Sequence, residues 1–297
     1  MKRLLQLLLA LIGTTVLLCA ATMARAFYYN AQNYGGRGPP EPLLDHPDRF
    51  GIPGLANIEF PSRDGAALRG WYVPAQNRAA VIVTSGTSAN RQDMLREVRI
   101  LAAARFGVLA FDWPGTGQSG GRIDWGDGSM AALEGAIDWL EQRPDVDSKR
   151  IGAFGFSMGG METVRVAAVD MRLRAVVLSG TTPETDSSPH WLHWARNPLQ
   201  SLPVEWASRY YGWPMGKVRP IELVGRIAPR AVFLIGGTLD ENADPQMMAQ
   251  MCAATGSPKE CWVVPGATHD TYGAVAPTEY ARRLREFFAK GLRGACP

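Results

Sequence analysis

The sequence predicts an α/β fold in which a mostly parallel sheet is flanked by helices and carries a helical insertion. Short apolar segments rich in β-branched residues recur along the chain, and helical patterns lie between most of them. Strands that alternate with helices in this way form parallel sheets covered on both faces. A hydrophobic content of 46%, with 32 Gly and 21 Pro in 297 residues, excludes a disordered chain and suits a folded protein with many loops.

The amino terminus, residues 1–26, has the pattern of a signal peptide or membrane anchor. Lys2 and Arg3 precede an apolar run, and the small-x-small sequence A-R-A at 24–26 is typical of a cleavage site. The run is also long enough to span a bilayer, so residues 4–22 are expected to allow membrane association. Either reading places the body outside the cytoplasm, as a periplasmic or secreted protein or as an anchored one.

The charge balance excludes one class of partner. Lys2, Arg3 and Arg25 account for the whole formal net charge of +3. The rest of the chain is therefore balanced and offers no electrostatic surface for nucleic acid, so no nucleic-acid partner is expected. The sequence leaves the oligomeric state open.

The body begins after a Pro- and Gly-rich leader at 27–56, which we expect to be extended chain. The core is predicted over 57–180 and 230–297. Its strands are expected at 68–73, 80–84, 108–111, 151–154, 175–178, 231–235 and 261–264. Its helices are expected at 92–105, 130–140, 162–169, 245–254 and 278–288.

One segment, 181–229, interrupts this alternation. It has no clear strand, and it is rich in Trp, Tyr and Pro. A segment of this length is too long for a structureless loop in a compact domain. We therefore expect a small helical insertion above the sheet, whose aromatic side chains provide an apolar lining.

Two of the four cysteines are positioned to pair. Cys252 and Cys261 would close a helix-to-strand connection in an oxidising compartment; the alternative is two buried free thiols. The sequence has no C-x-x-C motif and no Cys/His cluster typical of zinc.

The strongest chemical signal is G-F-S-M-G-G at 155–160, which contains G-x-S-x-G between a predicted strand and a predicted helix. A tight strand-to-helix turn lifts the hydroxyl of Ser157 above the sheet, and the flanking glycines avoid side-chain clashes there. The amino terminus of the following helix favours a developing negative charge. Ser157 is therefore the candidate nucleophile, and it requires a base to take its proton.

Four histidines are candidates for that base. Only His269 follows a late strand in a short loop. His46 lies in the leader, whereas His190 and His193 lie in the aromatic insertion with H-x-x-H spacing, where we expect surface or lining histidines rather than a metal site. His269 is therefore the candidate base.

The acid that orients the base is expected to lie between the serine and the histidine in the chain. Asp240 follows the strand at 231–235 and fits this order. Asp244 instead fits the N-cap of a helix that starts with Pro245, and Asp270 is too close to His269 in sequence to support it.

These residues resemble those of the α/β-hydrolase fold family across roughly 57–290. The resemblance rests on the turn at Ser157 and on F-D-W-P-G-T-G-Q-S at 111–119, G-T-L-D at 237–240 and G-A-T-H at 266–269. The segments S-R-D-G at 62–65 and L-R-G-W-Y at 68–72 are similar to the opening hairpin of the branch that includes serine aminopeptidase-like and small esterase members.

The resemblance implies an oxyanion hole made by two backbone N–H groups. One is that of Met158, after the nucleophile, and the other belongs to Thr87, in the loop after the third strand. Ser85 stands where the family usually has His before Gly, which leaves Gly86 as the alternative to Thr87. The resemblance also implies that the insertion is a lid over an acyl pocket.

A second glycine motif, G-x-G-x-x-G at 115–120, is typical of dinucleotide sites only when a helix begins at the turn. Helical periodicity here begins near Met130 instead. We therefore expect no nucleotide, and no metal or organic cofactor.

The sequence thus predicts an exported serine hydrolase that cleaves a carboxylic ester of a small-molecule acyl substrate through an acyl-enzyme. The alternatives are a serine peptidase acting on short peptides, which would use the same three residues, and a non-catalytic binding protein of the same fold.

Overall fold

The computed structural model describes residues 2–34, 45–87, 90–183 and 219–293. The described strands are β1 (Ala56–Pro61), β2 (Ala67–Val73), β3 (Ala80–Thr84), β4 (Gly107–Phe111), β5 (Ile151–Phe156), β6 (Leu173–Ser179), β7 (Ala231–Gly237) and β8 (Lys259–Val264). The described α-helices are α1 (Lys2–Tyr34), α2 (Leu95–Ala103), α3 (Asp127–Glu141), α4 (Met158–Val169), α5 (Pro220–Leu223), α6 (Pro245–Ala254), α7 (Tyr272–Val275) and α8 (Pro277–Gly291). Short 3-10 helices lie at Pro47–Phe50, Arg91–Met94 and Val224–Ile227.

All eight strands form one sheet in the order β1-β2-β4-β3-β5-β6-β7-β8. The strand β2 is antiparallel to both β1 and β4, and every pairing from β4 to β8 is parallel. The predicted α/β fold with a mostly parallel sheet is therefore confirmed. The parallel strands all end at the same edge, which we call the carboxyl edge.

The sheet is covered on both faces because alternate side chains of each strand point to opposite sides. On one face, residues such as Ile82 and Leu109 pack with apolar side chains of α3 and α4. On the other face, Val81 and Val83 pack with apolar side chains of α2 and α8. The fully buried strands β3 and β4 accordingly consist almost entirely of apolar residues.

The amino-terminal helix differs from its prediction at one end. The leader is expected to be extended from residue 27, whereas α1 continues to Tyr34. Its segment Gln6–Arg25 is long and apolar enough to cross a membrane, as signal sequences near an amino terminus also are. This helix is compatible with either the signal peptide or the anchor.

The pair Cys252 and Cys261 forms a disulfide, with the two Cα atoms 6.2 Å apart. It joins α6 to β8, so the bridged alternative is correct and the free-thiol alternative is wrong. Most of the predicted lid at 181–229, including His190 and His193, lies outside the described residues. The described end of that segment contains α5 and a 3-10 helix.

Candidate active site

Ser157 occupies the turn between β5 and α4, at the carboxyl edge of the sheet. Its backbone has φ 53° and ψ −118°, a left-handed φ that a side-chain-bearing residue adopts only when its surroundings enforce it. Its N–H donates to the Ser179 carbonyl of the neighbouring strand at 2.8 Å. A Cβ on Gly159 would lie only 2.6 Å from the Ser85 carbonyl oxygen, so the tight turn requires this glycine.

His269 lies in the loop between β8 and α7, on the same edge. Its Nε2 is 2.9 Å from the Ser157 hydroxyl oxygen. The ring also contacts the Phe156 ring at a centroid distance of 5.0 Å, and the side chain is 19% exposed. The imidazole is therefore held against the serine while one side remains open to a proton acceptor or to substrate.

Asp240 lies just after β7, and its side chain is fully buried. Its two carboxylate oxygens are 3.1 and 3.0 Å from His269 Nδ1. The backbone N–H groups of Asn242 and Ala243 donate to Oδ1 at 2.9 and 2.8 Å. Burial alone would raise the pKa of Asp240, but hydrogen bonds from His269, Ala243 and Tyr272 outweigh it and hold the pKa below its usual value.

The other carboxylates considered in the sequence lie elsewhere. The Asp244 side chain accepts from the Met247 N–H at 2.8 Å and caps α6, as its position before Pro245 predicts. Asp270 is exposed. Of the three candidate acids, the structure brings only Asp240 to His269.

The two expected oxyanion donors belong to segments that reach Ser157. Met158 is the first residue of α4, so its N–H has no acceptor within that helix. The loop after β3 reaches the same place, since a Cβ on Gly86 would lie 3.1 Å from the Ser157 Cβ. Thr87 follows directly, partly exposed, and the choice between Gly86 and Thr87 stays a prediction.

The glycines at 115–120 pack around a buried carboxylate. Gly117, at φ 47°, lies against the Asp112 side chain, where a Cβ would clash. Asp112 also pairs with the buried Arg91 guanidinium and accepts from the N–H groups of Arg91 and Gln118 at 2.8 and 2.9 Å. The next helix begins only at Asp127, so this loop lacks the helix start that a dinucleotide site requires.

Sequence reasoning missed one member of the site. Tyr272, the first residue of α7, is buried and donates its hydroxyl to Asp240 Oδ2. Burial and the neighbouring Asp240 charge raise the pKa of this phenol, so it remains a donor. Its position three residues after His269 carries no motif, and only the three-dimensional arrangement reveals the contact.

The remaining sequence candidates take no part in this cluster. His46 is exposed beside the first 3-10 helix, and His190 and His193 lie outside the described residues. Within the described part of the chain, no group of three or more His, Cys, Asp or Glu side chains could hold a metal ion.

Comparison with known proteins agrees with this architecture. A family model described as the alpha/beta hydrolase fold matches residues 80–214. An esterase structure from Pyrococcus furiosus superposes with a TM-score of 0.73 at 23% identity and covers 87% of this chain and 98% of its own. Sequence relatives include an uncharacterized protein of Mycobacterium tuberculosis, 28% identical over 228 residues and 74% of each chain. They also include a thiohydrolase of Eupenicillium brefeldianum, 32% identical over 142 residues, which are 45% of this chain and 46% of that one.

The fold, the arrangement at its carboxyl edge and these similarities define a class of protein. The chain has the α/β-hydrolase fold. The similarities support a hydrolase as its general activity.

Proposed function

We propose that this protein is an exported serine hydrolase that cleaves a carboxylic ester of a small-molecule acyl substrate. The observation that carries the proposal is the unbroken series of hydrogen-bond distances from Ser157 through His269 to Asp240. Serine is a poor nucleophile without a base within hydrogen-bond reach, and the distances from Ser157 to His269 and from His269 to Asp240 support these two residues as base and orienting acid. The fold alone would not carry this proposal, because one fold supports many functions.

The reaction begins when the Ser157 hydroxyl oxygen attacks the acyl carbonyl carbon. His269 Nε2 accepts the hydroxyl proton as the new C–O bond forms. Asp240 holds Nδ1 as the proton-bearing nitrogen and stabilises the resulting imidazolium. The imidazolium then gives its proton to the leaving alkoxide, and water repeats the sequence to release the acid.

The negative charge on the carbonyl oxygen requires fixed donors. We assign these to the backbone N–H groups of Met158, the residue after Ser157, and of Thr87, in the loop that approaches Ser157 at Gly86. Such donors need no reorganisation during the reaction, and loss of one typically costs about 10²–10³ in rate. The amino terminus of α4 adds its dipole to the same position.

Export is part of the proposal. The apolar helix Gln6–Arg25 supports a signal peptide or an anchor that holds the body outside the cytoplasm. The disulfide between Cys252 and Cys261 supports the same location, because such bonds persist mainly in oxidising compartments. Cell fractionation with sequencing of the mature amino terminus tests this; a mature chain that starts at Phe27 establishes cleavage.

Covalent labelling tests the nucleophile. A fluorophosphonate probe should label the wild-type protein, whereas Ser157→Ala should abolish both labelling and ester hydrolysis. Ser148→Ala is the matched control, because Ser148 is exposed just before β5, at the opposite end of the strand that leads to Ser157. Labelling that persists in Ser157→Ala at another serine contradicts the assignment.

One relative suggests a thiol, rather than an alcohol, as the leaving group. The thiohydrolase relative raises thioester cleavage as an alternative to oxygen-ester cleavage by the same residues. A panel of matched acyl oxygen esters, thioesters and anilides, with graded acyl chains, distinguishes the ester, thioester and peptidase alternatives. Absence of turnover on the whole panel, together with no labelling, favours the non-catalytic binding protein.

A further inference from the structure

Tyr272 is placed to act on the acid of the proposed site. It is 2% exposed, and its hydroxyl donates to Asp240 Oδ2. The same residue starts α7, so the loop that carries His269 leads directly into the helix that carries the phenol. One short segment therefore supplies two of the groups that contact the Asp240 carboxylate.

The surroundings of the phenol are closely packed. A Cβ on Gly180, at the end of β6, would lie 2.8 Å from the Tyr272 hydroxyl oxygen and 3.0 Å from His269 Cε1. A Cβ on Gly237, at the end of β7, would lie 3.1 Å from Tyr272 Cε1. Because glycine stands at the ends of both β6 and β7, the Tyr272 ring fits against these strand ends. This packing holds its hydroxyl at the Asp240 carboxylate.

The two oxygens of Asp240 differ in their partners. Oδ1 accepts from the backbone N–H groups of Asn242 and Ala243, which belong to the same loop as the carboxylate. Oδ2 faces His269 at 3.0 Å and accepts from the Tyr272 hydroxyl. The Tyr272 hydroxyl thus shares Oδ2 with the imidazole, whereas backbone donors hold Oδ1.

We propose that Tyr272 is a positioning residue of the reaction, which fixes the rotation of the Asp240 carboxylate and moderates its charge toward His269. The inference rests on the proposed function, because it assigns a role within the same proton-transfer system. Hydrogen bonds to a charged group are stronger than those between neutral groups, so this contact is large enough to affect the rate.

The expected effect has a defined direction with pH. Within the described part of the chain, the titratable groups facing the Asp240–His269 pair are the Tyr272 phenol and the Ser157 hydroxyl, with the Asp270 charge acting on Tyr272. Removal of the phenol hydroxyl leaves more negative charge on Oδ2, which favours the protonated imidazole. The acidic limb of the kcat/KM profile should then move to higher pH, because His269 acts as base only when neutral.

The test compares two Tyr→Phe substitutions that each delete one hydroxyl. Tyr272→Phe removes the donor to Asp240. Tyr72→Phe removes a donor to the Asp145 carboxylate, 2.6 Å away, at the opposite edge of the sheet, and Tyr72 is equally buried at 3% exposed. Rates are divided by the number of active sites counted by stoichiometric fluorophosphonate labelling, so that any unfolded fraction drops out.

In Tyr272→Phe we expect kcat to fall roughly tenfold, with KM within about twofold of wild type and the acidic limb displaced upward by about half a pH unit. Tyr72→Phe should leave kcat, KM and the acidic limb unchanged. Tyr272→Gln, which retains an N–H donor, should return the limb toward its wild-type position. If the phenylalanine variant does not fold, Tyr272→Met, which also lacks a donor to Asp240, replaces it in the comparison with the same expected displacement.

An acidic limb that stays in place in Tyr272→Phe overturns the inference, and so does an equal displacement in Tyr72→Phe. Failure of the proposed function is a separate result. It would appear as activity that survives Ser157→Ala, or as a wild-type profile that is flat where imidazole titrates.

Discussion

We expect Gly159 to matter more for activity than for stability, and Gly159→Ala tests this difference. A Cβ at this position would lie 2.6 Å from the Ser85 carbonyl oxygen and 2.7 Å from the Thr84 hydroxyl oxygen. Ordinary Cβ contacts begin at 3.4 Å, so roughly 0.8 Å of movement is required. The atoms that must move belong to the end of β3 and the start of the loop assigned to the oxyanion.

The magnitude follows from that displacement. A misplacement of about 1 Å in a catalytic arrangement costs about 10²-fold, so kcat/KM should fall by about that factor. The stability change should be small, because overpacking costs about 1–3 kcal/mol whereas Ala is favoured over Gly in a helix by about 1 kcal/mol. Activity per labelled site and the free energy of unfolding in urea measure the two effects.

Gly135→Ala is the matched control. Gly135 also lies in a helix, α3, and a Cβ there would be 2.6 Å from the Pro61 carbonyl oxygen. The same clash thus occurs against β1. This is the outermost strand of the sheet, away from β5, the strand that leads to Ser157. If Gly135→Ala loses as much activity per site as Gly159→Ala, or if Gly159→Ala keeps wild-type activity, the placement of the oxyanion loop is refuted.

Three further predictions concern the acid, the disulfide and a buried carboxylate. Asp240→Asn should lower kcat by about 10⁴, because the amide no longer favours the tautomer in which His269 accepts from serine; a loss below tenfold in steady-state assays would contradict this role. Replacing Cys252 and Cys261 by Ser should lower the free energy of unfolding by about 2–4 kcal/mol, measured by denaturant titration, and an unchanged midpoint would refute it. Burial raises the pKa of Glu162 to about 7 in spite of Arg165, so this carboxyl opposes folding increasingly as pH rises from its usual value of 4.5 to 7. Glu162→Gln should therefore gain about 3 kcal/mol relative to wild type between pH 4 and pH 8, and a pH-independent difference in urea unfolding would count against it.

The sheet could be predicted closely because its strands carry local signals. The strand β3 coincides with the predicted 80–84, since its five residues are all apolar or β-branched and all buried. The helix α6 coincides with the predicted 245–254, because Asp244 caps it and Pro245 opens it. Both elements have bounds that depend on their own residues rather than on distant contacts.

Other elements depend on contacts that sequence patterns do not encode. The strand β1 was absent from the predicted strands, because it is an edge strand with mostly exposed side chains, and its pairing with β2 defines it. The amino-terminal helix extends to Tyr34 because no Gly or Pro follows the apolar run until Gly35. The predicted boundary at residue 26 rests on the cleavage pattern, and a cleavage pattern does not determine where a helix ends.

The candidate site shows the same division. Ser157, Asp240 and His269 could be proposed from sequence because each follows a strand, and parallel strands end at a common edge. Tyr272 could not, because its role depends on the space that Gly180 and Gly237 leave between two strand ends.

The disulfide adds a constraint that connects stability to the site. The loop with Asp240 follows β7 and leads into α6, whereas β8 leads to His269, and the bridge from Cys252 to Cys261 joins α6 to β8. The helix that follows Asp240 and the strand that precedes His269 are thus covalently linked. Since β7 and β8 are also paired along their length, the separation of Asp240 and His269 is fixed by both the sheet and the bridge. Ser157, which lies 112 residues before His269, has no such link and depends on the sheet pairings from β5 through β6 to β7. Partial loosening of the fold should therefore separate the serine from the histidine before it separates the histidine from the aspartate.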